Sequence, residues 1–116
     1  MTAGFAVAGE RLDGDRGVVV VTGEVDIATA PRMKECMVGL LDDGVRRLVV
    51  DLSQVSFIDS TALGVLIGGV RRVNAAGGKM ALVVGTPPVR RVLDLTGLDR
   101  VFLIHESREA ALAALD

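Results

Sequence analysis

What most limits the folds open to this chain is an unbroken apolar run, Leu48, Val49 and Val50, inside residues 46–52. A strand with one face in water alternates apolar and polar residues, whereas a contiguous run suits a strand covered on both faces. A short polar turn follows, and Asp59-Ser60-Thr61 then opens a stretch whose Leu63, Leu66, Ile67, Val70 and Val73 recur on one broad helical face. An interior strand feeding an amphipathic helix is the repeating step of a parallel sheet with helical crossovers.

The rest of the chain repeats that step. Residues 5–12 alternate as an edge strand, Asp13-Gly14-Asp15 signals a turn, and residues 18–21 are a dense β-branched run, together forming a hairpin. Gly23-Glu24-Val25-Asp26 ends the second strand. Thr29-Ala30-Pro31 starts a helix with proline in its first turn, carrying Met33, Met37, Leu40 and Leu41 inward until Asp42-Asp43-Gly44 closes it. The next helix starts near Ser60 and ends at Ala75-Ala76-Gly77-Gly78. A fourth strand over 80–84 leads to a helix from Thr86-Pro87-Pro88 to Thr96-Gly97, with Val89, Val92 and Leu93 inward. A short strand over 101–104 and a helix over 107–115 complete the order β-β-α-β-α-β-α-β-α. This predicts one α/β domain over residues 1–116, its mixed sheet mainly parallel with an antiparallel N-terminal hairpin edge.

Composition removes several functions. The chain has 116 residues, enough for a core without staples, and half of them are apolar. Its net charge of −2 offers nucleic acid no general attraction, and its 3 Phe, without Trp or Tyr, make no base-stacking platform. The single cysteine, Cys36, excludes an internal disulfide and a Cys-Cys metal site; among Met33, Met37 and Leu40 it reads as a small buried hydrophobe, with Lys34 on another helix face. The first residues lack the basic start and long apolar core of a signal peptide. No apolar run reaches the roughly 18 residues of a membrane span. The longest candidate, 62–70, contains Gly64, Gly68 and Gly69 and stops at Arg71-Arg72. A soluble cytoplasmic protein with no membrane partner is expected.

An enzyme needs reactive groups, and few are present. His105, the one histidine, follows the last predicted strand as a solvated or locally bonded residue, so no His-rich metal site can form. A Ser-His-Asp triad would have to pair it with Ser60, around which there is no Gly-x-Ser-x-Gly elbow. Gly77-Gly78-Lys79-Met80 lacks the upstream glycine and following Ser/Thr of a phosphate-binding loop, and it precedes a strand. Gly64, Gly68 and Gly69 form no Gly-x-Gly-x-x-Gly; they are expected to let their helix approach a neighbour closely. Asp42-Asp43 is a solvated helix end. No catalytic residue, metal or cofactor is assigned, and the chain is read as a non-enzyme.

Asp59 and Ser60 can each cap the free N–H groups of the helix they precede. A serine there serves either as a cap or as a group held out for modification. Its position after an interior parallel strand favours function, since loops at the carboxyl ends of such strands carry it often. Phe57 and Ile58 can anchor the turn from below, leaving the polar atoms outward. A first helical turn also tolerates phosphate, which adds about −1.5 to −2 charges. Such a phosphate would leave the domain folded and change what can dock on it.

Asp51-Leu52-Ser53-x-Val55-x-Phe57-Ile58-Asp59-Ser60-Thr61-x-Leu63-Gly64 resembles the signature of anti-sigma-factor antagonists, the small STAS-domain proteins of bacteria. Gly23-Glu24-Val25-Asp26 with Ala28-Thr29-Ala30 is similar to that family's first loop and helix start. Gly77-Gly78, Pro88-Val89-x-Arg91-Val92-Leu93 and Thr96-Gly97-Leu98 resemble its C-terminal half, so the likeness is collinear over nearly the whole chain. It implies that Ser60 is a phosphoacceptor, modified by a cognate anti-sigma factor that is itself an ATP-dependent serine kinase. Unphosphorylated protein would bind that kinase and release a sigma factor, and a PP2C-type phosphatase would restore the serine. Asp26, Asp59, Ser60 and Thr61 match the partner-binding surface; Thr61 is a second hydroxyl, but the first one after Asp matches the acceptor. The family commonly has Gly where this chain has Ala62, a departure expected to reshape the loop against the kinase. A STAS scaffold or accessory subunit of a signalling or lipid-transport complex is the alternative, with Ser60 only a cap. A monomer or weak homodimer is expected, the glycine-bearing helix being able to support a dimer.

Overall fold

Valine-rich β2 (Arg16–Val25) and the apolar start of β3 (Arg47–Ile58) lie side by side in parallel, with Val18 beside Val49 and Val19 beside Val50. A computed structural model describes residues 4–116. It sets β1 (Ala6–Arg11) antiparallel on one side of this pair and β4 (Lys79–Val83) and β5 (Leu103–His105) parallel on the other, in the order β1-β2-β3-β4-β5. The helices are α1 (Ala30–Asp42), α2 (Ser60–Ala75), α3 (Pro87–Thr96) and α4 (Arg108–Leu115).

Each parallel strand joins on the same side of the one before it. With right-handed crossovers that direction sends every connecting helix to one face of the sheet. The core divides accordingly. Val19, Val21, Leu48, Val50 and Leu82 pack with Met33, Met37, Leu66 and Leu93 of the three crossover helices. Helix α4 follows the last strand and covers the other face, where Ala111 and Leu115 meet Val18, Val49, Ala81 and Val83. The run Leu48-Val49-Val50 is unbroken because Val49 serves one core and its neighbours the other. Ion pairs hold α4 at both ends, from Arg108 to Asp51 and Glu10 and from Asp116 to Arg47.

The main departure from expectation is the length of β3. A strand over 46–52 followed by a turn is expected, but the strand continues to Ile58. Val20 stands beside Asp51 but Thr22 beside Gln54, and Gly23 beside Val55 but Glu24 beside Phe57. Thus β3 carries one extra residue at each of two bulges. Each bulge resets the alternation, so Leu52, Val55 and Ile58 reach the same core at a spacing of three. The Asp51 carboxylate steadies the first bulge by accepting from the Ser53 N–H at 2.9 Å and the Ser53 hydroxyl at 2.6 Å.

Two smaller corrections follow from local geometry. Leu98–Arg100 forms a 3-10 turn, so β5 starts later than predicted and His105 is its last residue instead of following it. Of the three glycines in α2, only Gly69 has the expected close approach: a Cβ there would sit 2.2 Å from Met37 Cε of α1.

Candidate functional site

Strands β2 and β3 run in parallel to the same edge of the sheet and end on the paired residues Val25 and Ile58. Asp26 and Asp59 come next, and the Asp59 N–H donates to the Val25 carbonyl at 3.2 Å, tying the two loops together. Strand β4 stops at Val83, level with Asp51, so this corner extends beyond the neighbouring strand. On the side β4 leaves open, the Val55 carbonyl accepts the Thr86 hydroxyl at 2.7 Å.

The start of α2 settles which residue caps it. Asp59 has extended backbone, with φ −110° and ψ −175°, and its carboxylate accepts the Ala62 N–H at 3.0 Å. Ser60 is the first helical residue. It is exposed, and among the described residues no hydrogen bond engages its hydroxyl. The cap occupies the N–H of Ala62, leaving those of Ser60 and Thr61 among the donors a helix cannot satisfy internally. Thr61 is half-buried.

Asp26 is committed to its own loop. Its Oδ1 accepts from the N–H of Ala28 at 2.9 Å and of Thr29 at 3.2 Å. The Thr29 hydroxyl in turn accepts from the Asp26 N–H at 2.9 Å and donates to the Glu24 carbonyl at 3.0 Å. This reciprocal pair fixes the loop at the entry to α1, so the four residues singled out in sequence come to one corner: Asp26 and Asp59 as loop braces, Ser60 and Thr61 on the first turn.

Two apolar side chains stand exposed at this corner, against expectation for Phe57 and without one for Ile27. Phe57 is 46% exposed, whereas Ile58 is 3% exposed. The expectation that both anchor the turn fails because the segment is strand, where consecutive side chains point to opposite faces. Ile27 is 75% exposed, and its only signal in the sequence is a β-branched residue sitting between Asp26 and the helix start. Ala62, where the departure from the family's glycine is expected to reshape the loop against the kinase, is fully buried in the core under the cap, so its methyl group does not reach the surface.

Other candidate groups lie elsewhere. Cys36 is half-buried and packs against the core, and burial pushes its thiol up, suppressing the reactive thiolate. His105 lies on β5, separated from β3 by β4. Among the described residues no group of three or more His, Cys, Asp or Glu side chains could hold a metal ion, and no helix is long and apolar enough to cross a membrane.

Comparison with known proteins adds the following. Residues 9–111 match the family model of the STAS domain. A Paenibacillus polymyxa protein named anti-sigma F factor antagonist is 33% identical over 113 residues, covering 91% of this chain and 93% of its own length. A Staphylococcus aureus protein named anti-sigma-B factor antagonist is 31% identical over 91 residues, covering 78% of this chain and 84% of its own. Among solved structures, an anti-sigma factor antagonist from Mycobacterium paratuberculosis superposes with a TM-score of 0.88 at 32% identity, covering 99% of this chain and 98% of that one.

Proposed function

The chain belongs to the STAS domain family, and from there we propose that it is an anti-sigma-factor antagonist switched by phosphorylation of Ser60. Unphosphorylated, it binds an anti-sigma factor that is an ATP-dependent serine kinase, and the sigma factor is released. The kinase transfers the γ-phosphoryl group of ATP to Ser60 Oγ while a base on the kinase takes the hydroxyl proton, and the modified protein leaves. A PP2C-type phosphatase hydrolyses the phosphoester and restores the hydroxyl. The protein works in the cytoplasm as a binding partner and substrate; the kinase and phosphatase supply the catalysis.

One observation carries this reading: Asp59 does the capping, so the Ser60 hydroxyl stands exposed and unused on the first turn of α2. A phosphate there sits near the N–H groups of Ser60 and Thr61 and the positive end of the helix dipole, so the helix tolerates it. The docking surface fares differently. Asp26 and Asp59 already place two carboxylates at this corner, and the phosphate adds about −1.5 to −2 charges beside them. Like charges facing a partner built for a neutral hydroxyl cost several kcal/mol. Thr61 completes the polar part of the surface, and Ile27 and Phe57 give it exposed apolar area.

The test is to incubate the protein with candidate anti-sigma kinases and ATP, then measure intact mass and map the site. One phosphate on Ser60, and none in Ser60→Ala, is expected. Modification elsewhere, or none with any such kinase from the same genome, overturns the proposal.

A further inference from the structure

Between α1 and α2 runs an open groove of about 250 Å3. Met37, Val38 and Leu41 of α1 and Val65 of α2 wall it, Gly64 and Gly68 line it with bare backbone, and Thr61 lines it at the Ser60 end of α2. We infer that this groove seats an amphipathic helix carrying acidic residues, presented by the protein partner that meets Ser60. That identity of the partner rests on the function proposed above; the chemistry of the groove does not.

The glycines are the first reason. Glycine inside a helix is costly relative to alanine, so each one calls for an explanation. Gly69 has one in its contact with Met37, but at Gly64 and Gly68 no atom beyond the chain neighbours and the helix's own adjacent backbone lies within 4 Å of where a Cβ would stand. Neither has a positive φ. Packing within the chain leaves both unexplained, whereas an occupant pressed onto the backbone of α2 accounts for both.

Charge is the second reason. Lys34 and Arg72 line the groove from opposite helices, no acidic residue lines it, and neither cation is in an ion pair among the described residues. Glu35 and Asp42 of α1 border the adjoining hollow without pairing with either. A cationic, apolar groove on a chain of net charge −2 selects an occupant with carboxylates flanking apolar side chains.

Shape favours a peptide over a small amphiphile. The groove is open and shares Lys34, Val38 and Arg72 with the adjoining hollow, whereas small-molecule sites enclose most of their ligand. It suits two or three apolar side chains, as a helix presents them at positions i, i+3 and i+4.

The experiment has two arms. In the first, the isotope-labelled protein is titrated with a helical peptide of leucines at that spacing flanked by glutamates, with its lysine counterpart, and with dodecanoate, while backbone amides are followed by NMR. The acidic peptide is expected to shift Gly64, Gly68 and Lys34 and the basic one not to. Lys34→Glu with Arg72→Glu should weaken it about tenfold or more. Gly64→Ala and Gly68→Ala should raise the melting temperature by about 4 °C each yet weaken the peptide, opposite signs that a purely structural role does not produce. Equal shifts with the basic peptide, shifts with dodecanoate alone, no shifts, or alanine variants that bind unchanged overturn the inference.

In the second arm the anti-sigma kinase replaces the peptide. A kinase that rejects Ser60→Asp but binds the groove variants like wild type removes the groove and leaves the Ser60 switch standing. A kinase indifferent to Ser60→Asp, with the acidic peptide still seated in the groove, removes the switch instead.

Discussion

Ser60 and Ser107 both stand where a helix begins, and they differ by one position. Ser107 lies just before α4 with extended backbone, φ −136° and ψ 157°, and its hydroxyl accepts the Ala110 N–H at 3.1 Å. Ser60 lies just inside α2, and Asp59 makes the equivalent bond to Ala62. At α4 the serine is consumed by the backbone; at α2 an aspartate takes over that duty and the serine is spare. One step along the chain separates a structural hydroxyl from an available one, although residue type and helix end are the same.

Substitutions at the two helix starts test this contrast. The largest effect is expected at Ser60→Ala, which should abolish phosphorylation by the anti-sigma kinase in an intact-mass assay, while Ser107→Ala keeps it in full. Next, Ser60→Asp should weaken kinase binding by about tenfold or more in calorimetric titration, with the melting temperature unchanged or slightly raised, because a negative charge suits a first helical turn. If Ser60→Asp bound like wild type, charge would not be the switch. Asp59→Ala should then cost about 1 kcal/mol in denaturant unfolding, the usual value of a cap. Should Ser60→Ala cost as much as Asp59→Ala, the assignment of the cap would be wrong. Ser107→Ala should cost about 0.5–1 kcal/mol, read as faster hydrogen exchange in α4. The smallest effect belongs to Ser107→Asp, within a few tenths of a kcal/mol of wild type, since either residue caps well.

The element order and the location of Ser60 were legible because they rest on apolar periodicity, which survives wherever strands and helices are regular. The second half of β3 was not. Its core residues Leu52, Val55 and Ile58 come every third position, a spacing that fits neither a strand nor a helix, and Ser53, Gln54 and Ser56 between them read as a turn. Phe57 was misplaced for the same reason: with the strand taken to end at Leu52, nothing showed that it faces away from Ile58. The identity of the cap was out of reach because aspartate and serine are equally able to do it, and only the extended backbone of Asp59 decides. The α1–α2 groove depends on how two helices lie against each other, which no local pattern encodes.

The early end of β4 has a mechanical consequence. Up to Asp51, β3 has a strand on both sides; beyond it, β2 is its only strand partner among the described residues, with two bulges in the shared ladder, and the Thr86 hydroxyl is bonded to Val55 on the open side. Backbone protected on one side opens at lower free energy than backbone protected on both. The sheet is therefore stiff at its base and compliant at the tip that carries Asp59 and Ser60. Amide hydrogen exchange is expected to be faster in β3 beyond Asp51 than in its valine-lined base, which keeps its register.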